Sequence, residues 1–195
     1  MRARLFGCLA IATCALAPLL ARAEHIDVVD PADTKGPLDV VRVEVEGIDQ
    51  PEFSVFTEPR WNAQDIHDKG YVLLYFDTFR SERFDYFALV RSTGRGLDGL
   101  LWRDRVRKPD QVVAPLRVTR TSDDSLTVRV PLVFMKTDAT RLHYTWYVQT
   151  LMTSNRCPRV CFDLAPDEGA VLEPRPGVTP TPTPSASATP SPPIE

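Results

Sequence analysis

Histidine and methionine are scarce, at three residues each in a chain of 195. Neither an H-E-x-x-H motif nor any closely paired histidines occur, which removes the motif of histidine-based metallohydrolases. A G-x-S-x-G elbow and a G-x-x-x-x-G-K-[ST] phosphate loop are also missing, so acyl transfer and P-loop nucleotide chemistry lose their usual signatures. The 23 basic residues against 26 acids give a net charge of −3. A mildly acidic balance gives no support for binding nucleic acid or an anionic membrane, which needs clustered Lys and Arg. His25, His67 and His143 read as surface or network residues. Glu52, Glu58, Asp65 and Asp68 lie close in sequence and keep a carboxylate pair for glycan hydrolysis open as an alternative.

Met1–Ala23 reads as an export signal. Arg2 and Arg4 supply the charged start, Leu5–Leu20 the apolar run, and Ala21-Arg22-Ala23 an A-x-A cleavage site. The apolar run is interrupted by Pro18 and falls short of the ~20 residues a spanning helix needs. A lipoprotein signal ending at Cys14 is the rival reading. Cleavage before Glu24 leaves 20 basic against 26 acidic residues, a more acidic protein with no membrane span, placed outside the cytoplasm at the cell envelope. Cys8 and Cys14 depart with the leader, and Cys157 and Cys161 remain to pair in an oxidising compartment. Their three-residue spacing is not the redox C-x-x-C, and zinc lacks two further ligands, so a structural disulfide is expected.

From Pro174 to Glu195 the composition turns to Pro, Thr, Ser and Ala, with 8 of the chain's 18 prolines. Such a segment has too little apolar area to offset its chain entropy and reads as an extended, disordered tail. The folded unit is therefore expected over residues 24–173.

Within that unit the apolar period is two, the signature of half-buried strands. Val41, Val43 and Val45 alternate with Arg42, Glu44 and Glu46, and Phe53–Thr57 is a partner strand. Tyr71–Phe76 is apolar on both faces and belongs in the middle of a sheet. Phe84–Arg91 and Leu97–Trp102 follow, separated by Gly94 and Gly96. Val112–Thr119 and Leu126–Val130 pair through the Ser122-Asp123-Asp124 turn. Leu142, Tyr144, Trp146 and Val148 close the series. The pattern predicts an all-β, antiparallel β-sandwich of eight to nine strands, with one short helix over Trp61–Lys69 stopped at Gly70.

The densest polar constellation is Asp30-Pro31-Ala32-Asp33-Thr34-Lys35-Gly36-Pro37-Leu38-Asp39. Proline and glycine force an irregular loop, and carboxylates crowded on it repel unless solvated or bridged by a cation. Calcium answers that need with oxygen ligands. Asp77, ending one strong strand, and Asp85, opening the next, extend the candidate set if the loops meet. Among the aromatic residues Trp61, Trp102, Tyr144, Trp146 and Tyr147, core packing accounts for most. Tyr75 and Tyr147, out of phase with core-type neighbours, are candidates for a ligand face.

The order Asp30-x-x-Asp33-x-x-Gly36-x-x-Asp39, then Val72-Leu73-Leu74-Tyr75-Phe76-Asp77-Thr78, then Phe84-Asp85-Tyr86, resembles extracellular β-sandwich domains of the DOMON and family 9 carbohydrate-binding-module group. The resemblance covers most of residues 24–173 through short motifs. It implies a sandwich that binds sugars, haem or another ligand, with structural calcium at Asp30, Asp33, Asp39, Asp77 and Asp85. No pair of tryptophans at fixed spacing marks a sugar platform. Haem ligation would fall to Met135, Met152 and His143. The expected function is a non-catalytic binding or scaffolding module for an extracellular glycan or envelope component. A glycan hydrolase or its accessory domain, and less favourably a haem-linked electron carrier, are the alternatives.

Deleting Pro174–Glu195 should leave the thermal midpoint nearly unchanged, because the segment holds no core-forming side chain. A marked drop in a calorimetric scan would overturn this reading of the tail.

Overall fold

A computed structural model describes residues 25–47, 50–79, 81, 83–136, 143–154 and 157–174. The expected leader Met1–Ala23, the tail beyond Pro174, and Leu142 lie outside the described residues. Eleven strands form: β1 (His25–Val29), β2 (Asp39–Glu46), β3 (Glu52–Glu58), β4 (Gly70–Asp77), β5 (Tyr86–Ser92), β6 (Leu97–Arg103), β7 (Gln111–Arg120), β8 (Ser125–Arg129), β9 (His143–Ser154), β10 (Cys157–Ala165) and β11 (Val171–Pro174). They pair in one continuous sheet, in the order β1-β2-β3-β8-β7-β6-β5-β4-β9-β10, with β11 also on β9. Every pairing is antiparallel.

The all-β antiparallel class agrees with the period-two pattern, and the strand count is eleven rather than eight to nine. β1 escaped the sequence reading because its residues are only half-buried or exposed. β10 carries a register break between Cys157 and Cys161 that disrupts its alternation. The disulfide joins these two cysteines, with Cα atoms 5.5 Å apart, so it bridges the irregularity inside β10 rather than tying the end of β9 to a following loop. The expected helix over Trp61–Lys69 is replaced by successive turns. Asp65, His67 and Lys69 each donate a backbone hydrogen bond to the carbonyl three residues earlier, and Asp68 sits at φ 56°, which no regular helix accommodates. In β2 a bulge between Val40 and Arg42 moves the phase, so Val40, Val43 and Val45 are core residues and Val41 is not.

β7 turns this single sheet back on itself. Its first half, Gln111–Leu116, pairs with β6, and its second half, Arg117–Arg120, pairs with β8. The two halves of the sheet then face each other across one core. Phe53 on β3 meets Phe76 on β4 edge-on at 5.6 Å and Trp146 on β9 at 5.2 Å, although neither strand is β3's neighbour in the sheet. Edge-to-face pairs add about 0.5–1.5 kcal/mol each beyond the area they bury. Val55, Leu74, Leu101, Leu126 and Val148 complete the interior with no exposure.

The far ends of the curl meet at β2 and β10. The Val40 N–H donates to Asp163 Oδ2 at 2.6 Å, and Thr150 Oγ1 donates to the Leu38 carbonyl at 2.6 Å. Side chains, not a strand ladder, make this closure.

The bend in β7 depends on Gly99. A Cβ built there would collide with Val118 Cγ2 and lie 3.2 Å from Leu116 Cβ, so only a residue without a side chain lets β7 cross so closely. Gly99→Ala should destabilise the fold by about 1–3 kcal/mol, the usual cost of forcing an extra methyl into a packed site. Chemical denaturation checks this; an unchanged midpoint would mean that Val118 moves aside without strain.

Candidate functional site

Two regions collect the chemistry. The first is acidic and lies where β1, β2 and β10 converge. Asp30 follows β1, and its N–H donates to the Val41 carbonyl at 3.0 Å, which fixes its backbone against β2. Asp39 opens β2, Asp163 sits within β10, and Asp167 lies in the turn between β10 and β11. Carboxylate oxygens of Asp30, Asp163 and Asp167 come within 4.8 Å of one another, as do those of Asp33, Asp39 and Asp163. Asp163 therefore belongs to both groups. These acidic clusters have the composition to hold a cation.

Burial sets their electrostatics. Asp30 is 5% exposed and Asp163 3%, and loss of water disfavours the charged form. Burial pushes Asp30 up to about 7, with added repulsion from Asp167, Asp163 and Asp33. Asp39 and Asp163 are also raised, chiefly by burial. Opposing this, the Thr34 N–H donates to Asp39 Oδ1 at 3.1 Å and Thr34 Oγ1 to Asp163 Oδ1 at 3.2 Å.

Asp77 and Asp85 are elsewhere, which corrects the five-residue set. Asp77 is opposite Thr145 on β9 and Asp163 is opposite Thr150 on the same strand. Five residues of strand separate them by about 16 Å. Both brace the turn between β4 and β5. Asp77 Oδ1 accepts from the N–H groups of Phe79 and Ser81, both at 3.1 Å, and Asp85 Oδ2 accepts from those of Thr78 and Phe79 at 3.0 and 3.2 Å. Asp163 and Asp167 were not singled out from the sequence. The available signal was Asp163 itself, an acid two residues from Ala165 and sharing its inward phase.

The second region is aromatic and lies on the outer face of β9, β4, β5 and β6. Tyr147, Tyr75, Phe87 and Trp102 are directly opposite one another across these four strands. Tyr75 and Tyr147, the two residues singled out for their phase, stack at 4.8 Å with 22° between planes. Phe87 and Trp102 are parallel within 2° at 6.1 Å, and Phe84 closes the row against Tyr147 at 4.6 Å. All five rings are half-buried. A second row, Leu73, Leu89 and Leu100, runs beside them on the same face. Burial raises the Tyr75 hydroxyl's pKa, helped by Asp104, and pushes that of Tyr147 up to about 12. Both remain donors at any physiological pH. Asp104 in turn pairs with Arg83 at 3.4 Å. Phe87 was missed as a face residue because only strand pairing aligns it with Tyr75, and Phe84 because it joins the row from outside the strands, through ring contacts with Tyr75 and Tyr147. Trp61, Tyr144 and Trp146 are core, as expected.

The outer face of β3, β8 and β7 contrasts with this one. Ser54 and Thr127 hydrogen-bond at 3.0 Å, Arg129 pairs with Glu52, and an open polar groove runs among Glu52, Arg117, Thr119, Thr121, Thr127 and Arg129. One outer face is ordinary wet sheet, and the other is aromatic.

Among the acids weighed for hydrolysis, Glu52 and Glu58 are too far apart to act on one bond. Glu52 and Glu58 are at opposite ends of β3, about 20 Å apart. Asp65 accepts from the Asn62 N–H at 2.9 Å, and Asp68 lies 3.5 Å from His67. Of the haem candidates, His143 and Met152 are nine residues apart on β9, about 30 Å, and Met135 and Met152 are both buried.

Comparison with protein-family models, with characterised proteins and with solved structures finds no match to this chain.

Asp30 makes stability depend on pH in a defined direction. Its ordinary value is 3.8 and its folded value about 7, so in this window the folded state holds a proton that the unfolded chain has released. Stability in chelator should fall as pH rises from about 4 to about 7, by up to about 1.4 kcal/mol per unit of difference, and level off above. Urea midpoints across this range check the slope, and Asp30→Asn should flatten it. An upward slope would contradict the burial argument.

Proposed function

We propose that this protein is an exported, non-catalytic β-sandwich module that binds a glycan of the cell envelope through its aromatic face. The observation that carries the reading is the row Tyr147, Tyr75, Phe87 and Trp102, aligned across four strands on an outer surface. A contiguous apolar patch of this kind on a small domain usually serves an interaction. Its residue types also matter. Aromatic side chains present large contact area with little rotamer entropy to lose, and here two phenol hydroxyls and the Arg83–Asp104 pair add polar groups at its margin. A sugar has the same mixed character, with apolar C–H faces edged by hydroxyls. The rigid strands beneath keep the rings in place before the ligand arrives, which limits the ordering cost of binding.

This reading agrees with the exported character expected from Met1–Ala23 and with the paired Cys157 and Cys161, since such bonds persist in oxidising compartments. The distance between Glu52 and Glu58 weighs against a hydrolase that uses that pair.

A glycan array probed with the purified protein should identify a bound envelope polysaccharide. Tyr75→Ala should then weaken binding by roughly thirtyfold, about 2 kcal/mol, as expected for a central aromatic anchor, with the circular dichroism spectrum unchanged. Binding to no glycan, or equal affinity in the variant, would sink the proposal.

A further inference from the structure

Among the described residues, the buried side-chain polar atoms without a hydrogen-bond partner are Asp30 Oδ2, Trp102 Nε1 and Arg120 Nε. Asp30 Oδ2 differs from the others in its company. It belongs to a side chain 95% removed from solvent, and that carboxylate lies within 4.8 Å of those of Asp163 and Asp167. The Asp167 backbone N–H reaches the Asp30 carboxylate, but Oδ2 is left over, and ionised carboxylates accept hydrogen bonds and donate none, so once ionised the three side chains cannot satisfy it. None of the ion pairs among the described residues includes any of them. Buried charges in proteins are paired or bind metal, because an unmet one is expensive.

We propose that Asp30, Asp163 and Asp167 form a calcium site that clamps the two ends of the curled sheet together. The spacing suits one ion: two oxygens at about 2.4 Å from a shared cation can be no more than about 4.8 Å apart. All three donors are oxygens, which selects a hard cation over zinc or copper. Asp163 is held in place by the Val40 N–H at Oδ2, and Asp30 by its backbone bond to Val41, so two ligands are positioned in advance. Asp167 is exposed on its turn, leaving that side open for the waters that complete a coordination number of six to eight. Calcium fits such a mixture of rigid strand and irregular loop better than magnesium, which demands a near-ideal octahedron. The neighbouring group of Asp33, Asp39 and Asp163 differs, because Thr34 already donates to Asp39 and Asp163. It acts as a second ring of negative charge around the ion. Asp30 follows β1, Asp163 is on β10, and Asp167 precedes β11, so one ion would tie the first strand to the last two. This site is independent of the aromatic face and of any glycan.

The test uses the full chain, stripped with chelator and titrated with calcium chloride in a calorimeter, alongside thermal melts. One ion per chain should bind, and the midpoint should rise by about 5–10 °C at a hundredfold excess over Kd. Asp167→Asn, an exposed change that spares the core, should lower calcium affinity at least tenfold. Asp30→Asn should melt above the wild type in chelator, because it removes the buried charge, and should no longer respond to calcium. Asp77→Asn should keep the response. An unchanged midpoint with no binding heat would overturn the proposal, leaving the three acids to share a proton. Equal shifts with magnesium would overturn the choice of ion, and full affinity in Asp167→Asn would place the ion elsewhere.

Discussion

The fold depends on how the two ends of one long sheet are held against each other, and Asp163 is the residue on which that closure turns. Backbone pairing runs unbroken from β1 through to β10, but β2 and β10 have to be joined by other means. The Asp163 carboxylate supplies them, accepting from the Val40 N–H and from Thr34. A charge-assisted bond of this kind is stronger than a neutral one, and it satisfies a backbone donor next to the β2 bulge. Its cost is a buried acid with further acids close by. The local repulsion felt by Asp30 is a consequence of the same closure.

The curl also decides what each face becomes. Once Gly99 lets β7 change partners, β3 is carried over β4 and β9, and Phe53 lands on Phe76 and Trp146. The inward face is then fully used. β4, however, is apolar on both sides, and on its outer side Leu73 is buried and Tyr75 half-buried. Tyr75 with its partners Tyr147 and Phe87 occupies that side. In an antiparallel sheet the outer face is normally polar, as it is on β3 and β8. The departure from that rule is the physical basis for assigning the aromatic face an interaction.

The aromatic row and the acidic clusters occupy different parts of the molecule, and the strands explain the separation. Tyr147 and Thr150 share β9, but alternation sends Tyr147 outward and Thr150 inward, toward Leu38 and the acidic loop. A ligand on the rings and an ion among the acids would act through different surfaces. Rigid strands are also a sound base for either role, since a site held by paired backbone loses little entropy on binding.

Much of this was legible in the residues. Alternation marked Val43, Val45, Trp146 and Val148 as core correctly, because period-two patterning is a local property of a half-buried strand, and the doubly apolar run Tyr71–Phe76 marked β4 as a central strand. Cys157 and Cys161 pair as expected, being close in the chain. The phase of Tyr75 and Tyr147 identified two residues of the outer row. Where the reading failed, distance was the reason. Asp77 and Asp85 look equivalent to Asp30 and Asp33 in sequence, yet the register of β9 places Asp77 about 16 Å along the strand from Asp163, and Asp85 braces the turn beside Asp77. Asp163 and Asp167 lie more than a hundred residues from Asp30 and join it only because the sheet curls. Local patterning determined the strands, their faces and the disulfide. Which acids share a space, and which rings share a row, were decided by strand register and closure, since those depend on contacts between residues that the chain keeps far apart.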